Sequence, residues 1–326
     1  MHIPVLLEEI IQALDVHEGD KLIDANFGFG GHSFALLPHV GETGKILGLE
    51  WDPEVASYMQ QEIMRKKVEK KIVLKNGNFK HIKKIAHDEG FTSVKGVIFD
   101  LGVATWHYKQ SGRGFSFSTP DPLDMRLNPE DTKITAFEVV NYFSQKELVE
   151  VFKNYGEEYQ AERVAAEIIT KRKIKKIETS EELSEIVMRA KGHRGSKDAS
   201  ARGTRTGRSH MRGIHPATKV FMALRSFIND ELGNLSEGLR ESFDVLQPGG
   251  KIAILSFQGL EDKVIKSIFK ELKSKGALML TKNVDTPYRR RRFFLKKTFP
   301  VIRLIKNYHL SIGHLCTLSC WLCCLG

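Results

Sequence analysis

The chain reads as an α/β protein, a doubly wound, Rossmann-like parallel sheet carrying an inserted helical subdomain. Three observations predict this. Short apolar runs alternate with helix-period segments as far as VKGVIFDLGVAT at Val94–Thr105, the rhythm of a parallel sheet with helices on its faces. The first run leads directly into a glycine-rich turn and a helix start, KLIDANFGFGGHS at Lys21–Ser33. The rhythm then lapses for about a hundred residues and resumes with KIAILSF at Lys251–Phe257, as an insertion into one sheet requires.

The elements follow in order. VLLEEIIQAL (Val5–Leu14) has apolar residues at helical spacing and precedes Gly19, so it predicts a helix against the sheet. Lys21–Asp24 is the end of a first buried strand, and KILGLEWD holds a second that ends in Glu50. Pro53–Lys66 reads as a helix, Ile72–Phe79 as a third strand, and Val94–Asp100 as a central strand buried on both faces. Within the insertion, helices are expected at Ala136–Phe143, after the capping box Ser144–Glu147, at Glu157–Lys173, and after a second box, Thr179–Glu182. Pro216 suits a first helical turn, and one long amphipathic helix is expected from there to about Leu246. GLEDKVIKSIFKEL after the last strand completes the wound sheet. These boundaries divide the chain into 1–108 and 213–287 for the sheet domain, 109–212 for the insertion, and 288–326 for a basic, cysteine-rich tail without a predicted structure.

The glycine turn with Gly28, Gly30 and Gly31 is a nucleotide-cofactor cradle in form, and His32-Ser33 opens the helix behind it. A pyrophosphate would be repelled by Asp24 at the strand end, whereas the ammonium and sulfonium of S-adenosylmethionine would be attracted. Glu50, about twenty residues on, suits a carboxylate that accepts hydrogen bonds from ribose hydroxyls. Ligands of such sheets lie at the carboxyl ends of the strands, so Asp24, Glu50 and Asp100 are expected to converge on one crevice. Phe79, just past the third strand, is placed either to stack on an adenine or to cap the core. S-adenosylmethionine is therefore favoured over NAD, and no proton donor for a dehydrogenase stands out.

A formal charge of +10 and a pI near 9.3 favour polyanionic partners, nucleic acid first. The charge is concentrated in Arg189–Gly213, where eight Lys/Arg stand against Asp198 among glycines and serines. Nothing there can form a core, and a basic loop for phosphate contacts is expected. All four cysteines, Cys316, Cys320, Cys323 and Cys324, fall in the last eleven residues, with spacing poor for zinc, so no metal is expected. Neither a secretory leader before His2-Ile3-Pro4 nor a run of membrane-spanning length is present, which predicts a cytoplasmic protein with no membrane partner.

In sequence, HIPVLLEE, DANFGFGGHS, DLGV, RGFSF, PLDMR, NYGEEYQAERVAAEI, IHPATK, ALR, NDEL and SFQGLED resemble the bacterial 16S ribosomal RNA cytosine-N4 methyltransferases, the RsmH (MraW) family, over about His2–Lys266. The resemblance implies a class I S-adenosylmethionine-dependent enzyme that methylates the exocyclic N4 of a decoding-centre cytosine in the small ribosomal subunit. It implies cofactor contacts at Gly30, Gly31, His32, Glu50, Phe79, Asp100 and His107, beside the Asp24 and Gly28 read from the loop. Arg113, Phe115, Asp124, Arg126 and His215, in the matching motifs, are the expected substrate contacts; a homodimer is left open. The family usually has Asp at Glu50 and Gln at His107. Its DLGVSS is DLGVAT here and its SFHSLED is SFQGLED, while the usual asparagine-proline-arginine ending is absent. A diverged second copy, or a change of reading frame near the end, would each produce this.

Cytosine N4 is a poor nucleophile because its lone pair is delocalised into the ring. An enzyme must align it with the methyl group and accept hydrogen bonds from the amine. Asp100 is the candidate acceptor and Thr105 a second one. Phe115 and Phe117 are candidates to stack on a splayed base, although alternating aromatics also suit a core. Arg113, Arg126 and the basic loop are candidates for phosphates. The competing reading is a catalytically eroded RNA-binding or ribosome-assembly factor on the same scaffold, suggested by DLGVAT and SFQGLED.

Overall fold

The computed structural model describes residues 6–193, 215–279, 292–293 and 301–306. These fall into two compact units, one built from residues up to Ala104 and from Leu232 onward, the other from Thr105–Glu231.

The first unit is the sheet. Strands β1 (Lys21–Asp24), β2 (Lys45–Glu50), β3 (Ile72–Asn76), β4 (Val94–Asp100) and β5 (Leu246–Ser256) run parallel in the order β3-β2-β1-β4-β5. Central strands buried on both faces need continuous apolar runs, and β4 supplies Val97, Ile98 and Phe99 with no exposed surface. Register sets Asp24 opposite Gly48 on one side and Ile98 on the other, so Asp24, Glu50 and Asp100 close three adjacent strands at the same sheet edge. The flanking helices are α1 (Leu7–Leu14), α2 (Gly31–Val40), α3 (Pro53–Arg65), α4 (Ile82–Asp88), α11 (Glu231–Val245) and α12 (Gly259–Lys273). Asp52 caps α3 by accepting from the N–H groups of Glu54 and Val55, with Pro53 in the first turn.

The sheet extends beyond the expected elements. Short strands β6 (Leu278–Met279) and β7 (Arg292–Phe293) and a longer β8 (Val301–Lys306) add to its edge, with β8 parallel to β5. Part of the sequence assigned to a tail of unknown structure is thus sheet. The arginines before Arg292 and the four cysteines lie outside the described residues, as do residues 194–213 of the basic loop.

The second unit contains α5 (Thr105–Lys109), α6 (Ala136–Tyr142), α7 (Gln145–Gly156), α8 (Ala161–Arg172), α9 (Ser180–Ala190) and α10 (Thr218–Ile228). Complete capping boxes at Thr135/Glu138, Ser144/Glu147 and Thr179/Glu182 start α6, α7 and α9. Helix α8 begins later than its periodicity suggests, because Glu157 takes a left-handed conformation that ends α7.

Two expectations are corrected here. The long helix from Pro216 to Leu246 is two helices, broken where Asp230 adopts φ 45°. The insertion, expected to end at residue 212, continues to Glu231, because α10 buries Val220, Phe221, Leu224 and Ile228 in the same core as Leu148 and Phe152 of α7. Among the described residues no helix is long and apolar enough to cross a membrane, and no cluster of His, Cys, Asp or Glu could hold a metal ion.

Candidate active site

The site forms where β1, β2 and β4 end. After Asp24 the chain makes a tight turn in which Gly28 and Gly30 take φ 51° and 74°. A Cβ on Gly30 would stand 2.5 Å from the Phe34 ring, so the turn needs glycine for space as well as for conformation. The turn is tied to the second strand by Gly28, whose N–H donates to Glu50 Oε2 at 2.9 Å. The other Glu50 oxygen accepts from Asp52 N–H at 2.8 Å. Burial pushes the Glu50 carboxyl up to about 7, with the charge of Asp52 adding to it, against the pull of the two N–H groups.

Asp24 is buried, with Oδ2 accepting from the Ser33 hydroxyl at 2.7 Å and Oδ1 from Asn26 N–H at 3.3 Å. Its carboxyl is raised by desolvation. With 1% of its surface exposed, Asp24 braces the glycine turn and the start of α2 through its bonds to Asn26 and Ser33. Asp100 differs. Its side chain keeps 34% of its surface, and Oδ2 lies 3.5 Å from His32 Nε2. His32 itself is buried, and neither ring nitrogen has a hydrogen-bond partner. Gly31 is the first residue of α2. Phe79 is partly buried, packed edge-on to Phe99 at 5.5 Å and against Gly238, where a Cβ would come within 2.7 Å of its ring. It serves the core on that side, as the second reading of its position allowed.

The altered SFQGLED segment is structural. Gln258 is the N-cap of α12, and Glu261 returns to accept from the N–H groups of Phe257 and Gln258. Ser256 donates to Asp262 at 2.6 Å. The departures at Gln258 and Gly259 fall at the start of α12, beyond β5, and the three acids still close β1, β2 and β4.

In the second unit several predicted substrate contacts have internal partners. Arg113 is buried and donates to the carbonyls of Arg126 and Leu127 at 2.9 and 3.0 Å. Phe115 belongs to the helical core and meets the His107 ring edge-on at 5.4 Å. His107 is buried between Trp106 and Phe115. Asp124 and Arg126 form a two-pronged ion pair, with both contacts at 2.8 Å. The ring of His215 stacks on Phe117 at 4.2 Å, and desolvation, helped by His193 and Lys191, lowers its pKa. Thr105 is exposed at the start of α5. Arg113 and Phe115 thus help to close the loop that carries RGFSF and PLDMR, beside any contact with a ligand.

Sequence reading missed Asn229. Buried, it accepts from Leu127 N–H and donates to the Met125 carbonyl, both at 2.8 Å. It thereby holds Met125, a non-glycine residue at φ 61°. Arg225 pairs with Glu231 at 2.7 Å and bonds Tyr108 OH at 2.8 Å. The spacing of ALR and NDEL encodes that clamp.

A parallel sheet of this order, with acids closing three neighbouring strands around a glycine turn, defines the class: an α/β methyltransferase. The chain belongs to the MraW methylase family, whose sequence profile matches residues 1–306. It is 39% identical to the ribosomal RNA small subunit methyltransferase H of Persephonella marina over 88% of this chain and 92% of that one. Identity to the proteins of the same name is 34% for Coprothermobacter proteolyticus, covering 88% and 89% of the two chains, and 36% for Streptococcus mutans, covering 83% and 81%.

The cofactor is S-adenosylmethionine. The residues present fit it. The acids at the strand ends suit a cationic ligand, the glycine turn leaves backbone in reach, and the buried His32 offers a ring nitrogen, Nδ1, that has no protein partner.

Proposed function

We propose that this protein methylates the N4 amine of a decoding-centre cytosine in small-subunit ribosomal RNA. The observation that carries the reading is the convergence of Glu50 and Asp100, over a buried Asp24 and His32, at the ends of three adjacent strands. The relatives' names support the ribosomal RNA; the motif resemblance to the cytosine-N4 methyltransferases supports the amine, and an acid such as Asp100 suits it.

When bound, S-adenosylmethionine supplies an electrophilic methyl group on a sulfonium. Glu50 would hold its ribose hydroxyls, the glycine turn with His32 its amino-acid end, and Phe79 would border the adenine with its free side. Asp100 is the substrate-facing acid, since it alone of Asp24, His32 and Asp100 keeps substantial exposure. Its carboxylate accepts a hydrogen bond from the cytosine amine, which turns the nitrogen lone pair outward. It would then take the surplus proton that the nitrogen carries once the N–C bond has formed and the methyl–sulfur bond has broken, its electron pair staying on sulfur as the neutral thioether. Thr105 is a second acceptor. Asp124, Arg126 and His215 act on the RNA side through the loop they shape, and Arg189–Gly213 supplies phosphate contacts. The cytoplasm is where such a substrate is met.

Mapping modified cytosines in small-subunit RNA from cells with and without the protein tests the assignment. One decoding-centre cytosine should lose its N4 methyl group when the protein is absent. An unchanged modification pattern would overturn the assignment and favour the non-catalytic assembly factor.

A further inference from the structure

His32 stands between two acids in different circumstances. Asp24, from β1, is locked beneath it, since both of its oxygens are engaged by Ser33 and Asn26. Asp100, from β4, keeps a third of its side-chain surface, and its Oδ2 lies 3.5 Å from His32 Nε2. The imidazole cannot move away, being buried as the second residue of α2, whose backbone starts from the strained glycine turn. A carboxylate at the rim of a solvent-facing site would otherwise rotate freely about its last torsion.

We propose that His32 is a positioning residue for methyl transfer, holding Asp100 by Oδ2 so that Oδ1 is presented to the substrate amine. The inference rests on the methyl-transfer reading above. As a cation the imidazole does this in either orientation, since it carries a proton on Nε2 whichever tautomer the neutral ring would take. Desolvation alone would lower the pKa of His32, but the close approach of the Asp100 carboxylate and the charge of Asp24 outweigh it and raise it. Asp24 and Asp100 are the charged groups that act on the ring among the described residues, and α2 contributes Ser33, whose hydroxyl is already given to Asp24. The same arrangement explains why a buried histidine sits beside a cofactor loop with Nδ1 unpartnered: one nitrogen serves the acid and the other faces the ligand.

The test compares wild type with His32→Gln and His32→Ala, using small subunits that lack the modification. Cofactor affinity is measured by calorimetry and transfer by single-turnover kinetics across pH. In His32→Ala the single-turnover rate at saturating cofactor should fall at least thirtyfold, separately from whatever affinity the lost Nδ1 contact costs, which the calorimetry reads. His32→Gln, which keeps a donor without the charge, should recover part of the rate and lose the decline that wild type shows at alkaline pH. NMR titration of His32 supplies a readout that does not depend on turnover: its midpoint should fall in Asp100→Asn. A wild-type rate in His32→Ala, or an unchanged midpoint in Asp100→Asn, would overturn the inference. Failure of wild type itself to transfer methyl would instead overturn the reading on which it rests.

Discussion

Glu50 offers the sharpest test of how the site is built. Its carboxyl is raised to about 7 by burial at the end of β2, against 4.5 in the unfolded chain. A folded-state pKa above the unfolded one gives stability that is full below about 4.5 and lost as pH rises through about 7. Linkage over that interval gives about 2.5 kcal/mol between pH 5 and pH 8, discounted to about 2 kcal/mol for residual solvent access. Glu50→Gln removes the titration while keeping most of the volume. It forfeits part of the hydrogen bonding to Gly28 and Asp52, a cost that is constant with pH. The stability of the variant relative to wild type should therefore rise by about 2 kcal/mol from pH 5 to pH 8, roughly 4–8 °C in Tm for a unit of this size. Differential scanning calorimetry of both proteins at several pH values measures it. In the same series, wild-type affinity for S-adenosylmethionine should fall as pH drops below about 7, because the ribose hydroxyls need an ionised acceptor. A variant-minus-wild-type difference that is flat in pH would refute the assignment of Glu50 as a buried, reluctantly ionised acid.

Other consequences follow from particular contacts. Lys191→Ala leaves Glu158 buried without the cation that also bonds the Pro216 carbonyl, and should cost about 3 kcal/mol in denaturant unfolding of the helical unit. Gly30→Ala drives a Cβ to 2.5 Å from Phe34 at a left-handed position, so it should cut cofactor affinity tenfold or more by calorimetry. RNA affinity should fall steeply with salt if Arg189–Gly213 contacts phosphates, and filter binding between about 50 and 200 mM salt reads the slope.

The catalytic sheet was legible because its signals are local. An apolar run ending in an acid, then glycines, can be placed without tertiary information, and Asp24, Glu50 and Asp100 closed their strands as expected. Which of those acids meets solvent was not legible. Asp24 and Asp100 look alike in sequence, and only the Ser33 and Asn26 bonds set them apart. The helical unit was harder. Arg113 and Asn229 read as polar and functional or as nothing at all, yet both hold the chain at Met125–Leu127, Arg113 from 13 and 14 residues away and Asn229 from 102 and 104. Polar groups that satisfy backbone atoms a hundred residues away leave no periodicity to detect. The break at Asp230 was hidden for the opposite reason, since α10 and α11 are both amphipathic and their pattern runs on through the turn. Helix-capping boxes, by contrast, span four residues and were found wherever they were sought.

Calorimetric titration of S-adenosylmethionine into wild type and Asp100→Ala, paired with methyl transfer to unmodified small subunits, tests the central claim most directly. Saturable binding by wild type and loss of transfer in a variant that remains folded is the predicted result. Absence of binding heat in wild type, or undiminished transfer by Asp100→Ala, would contradict it.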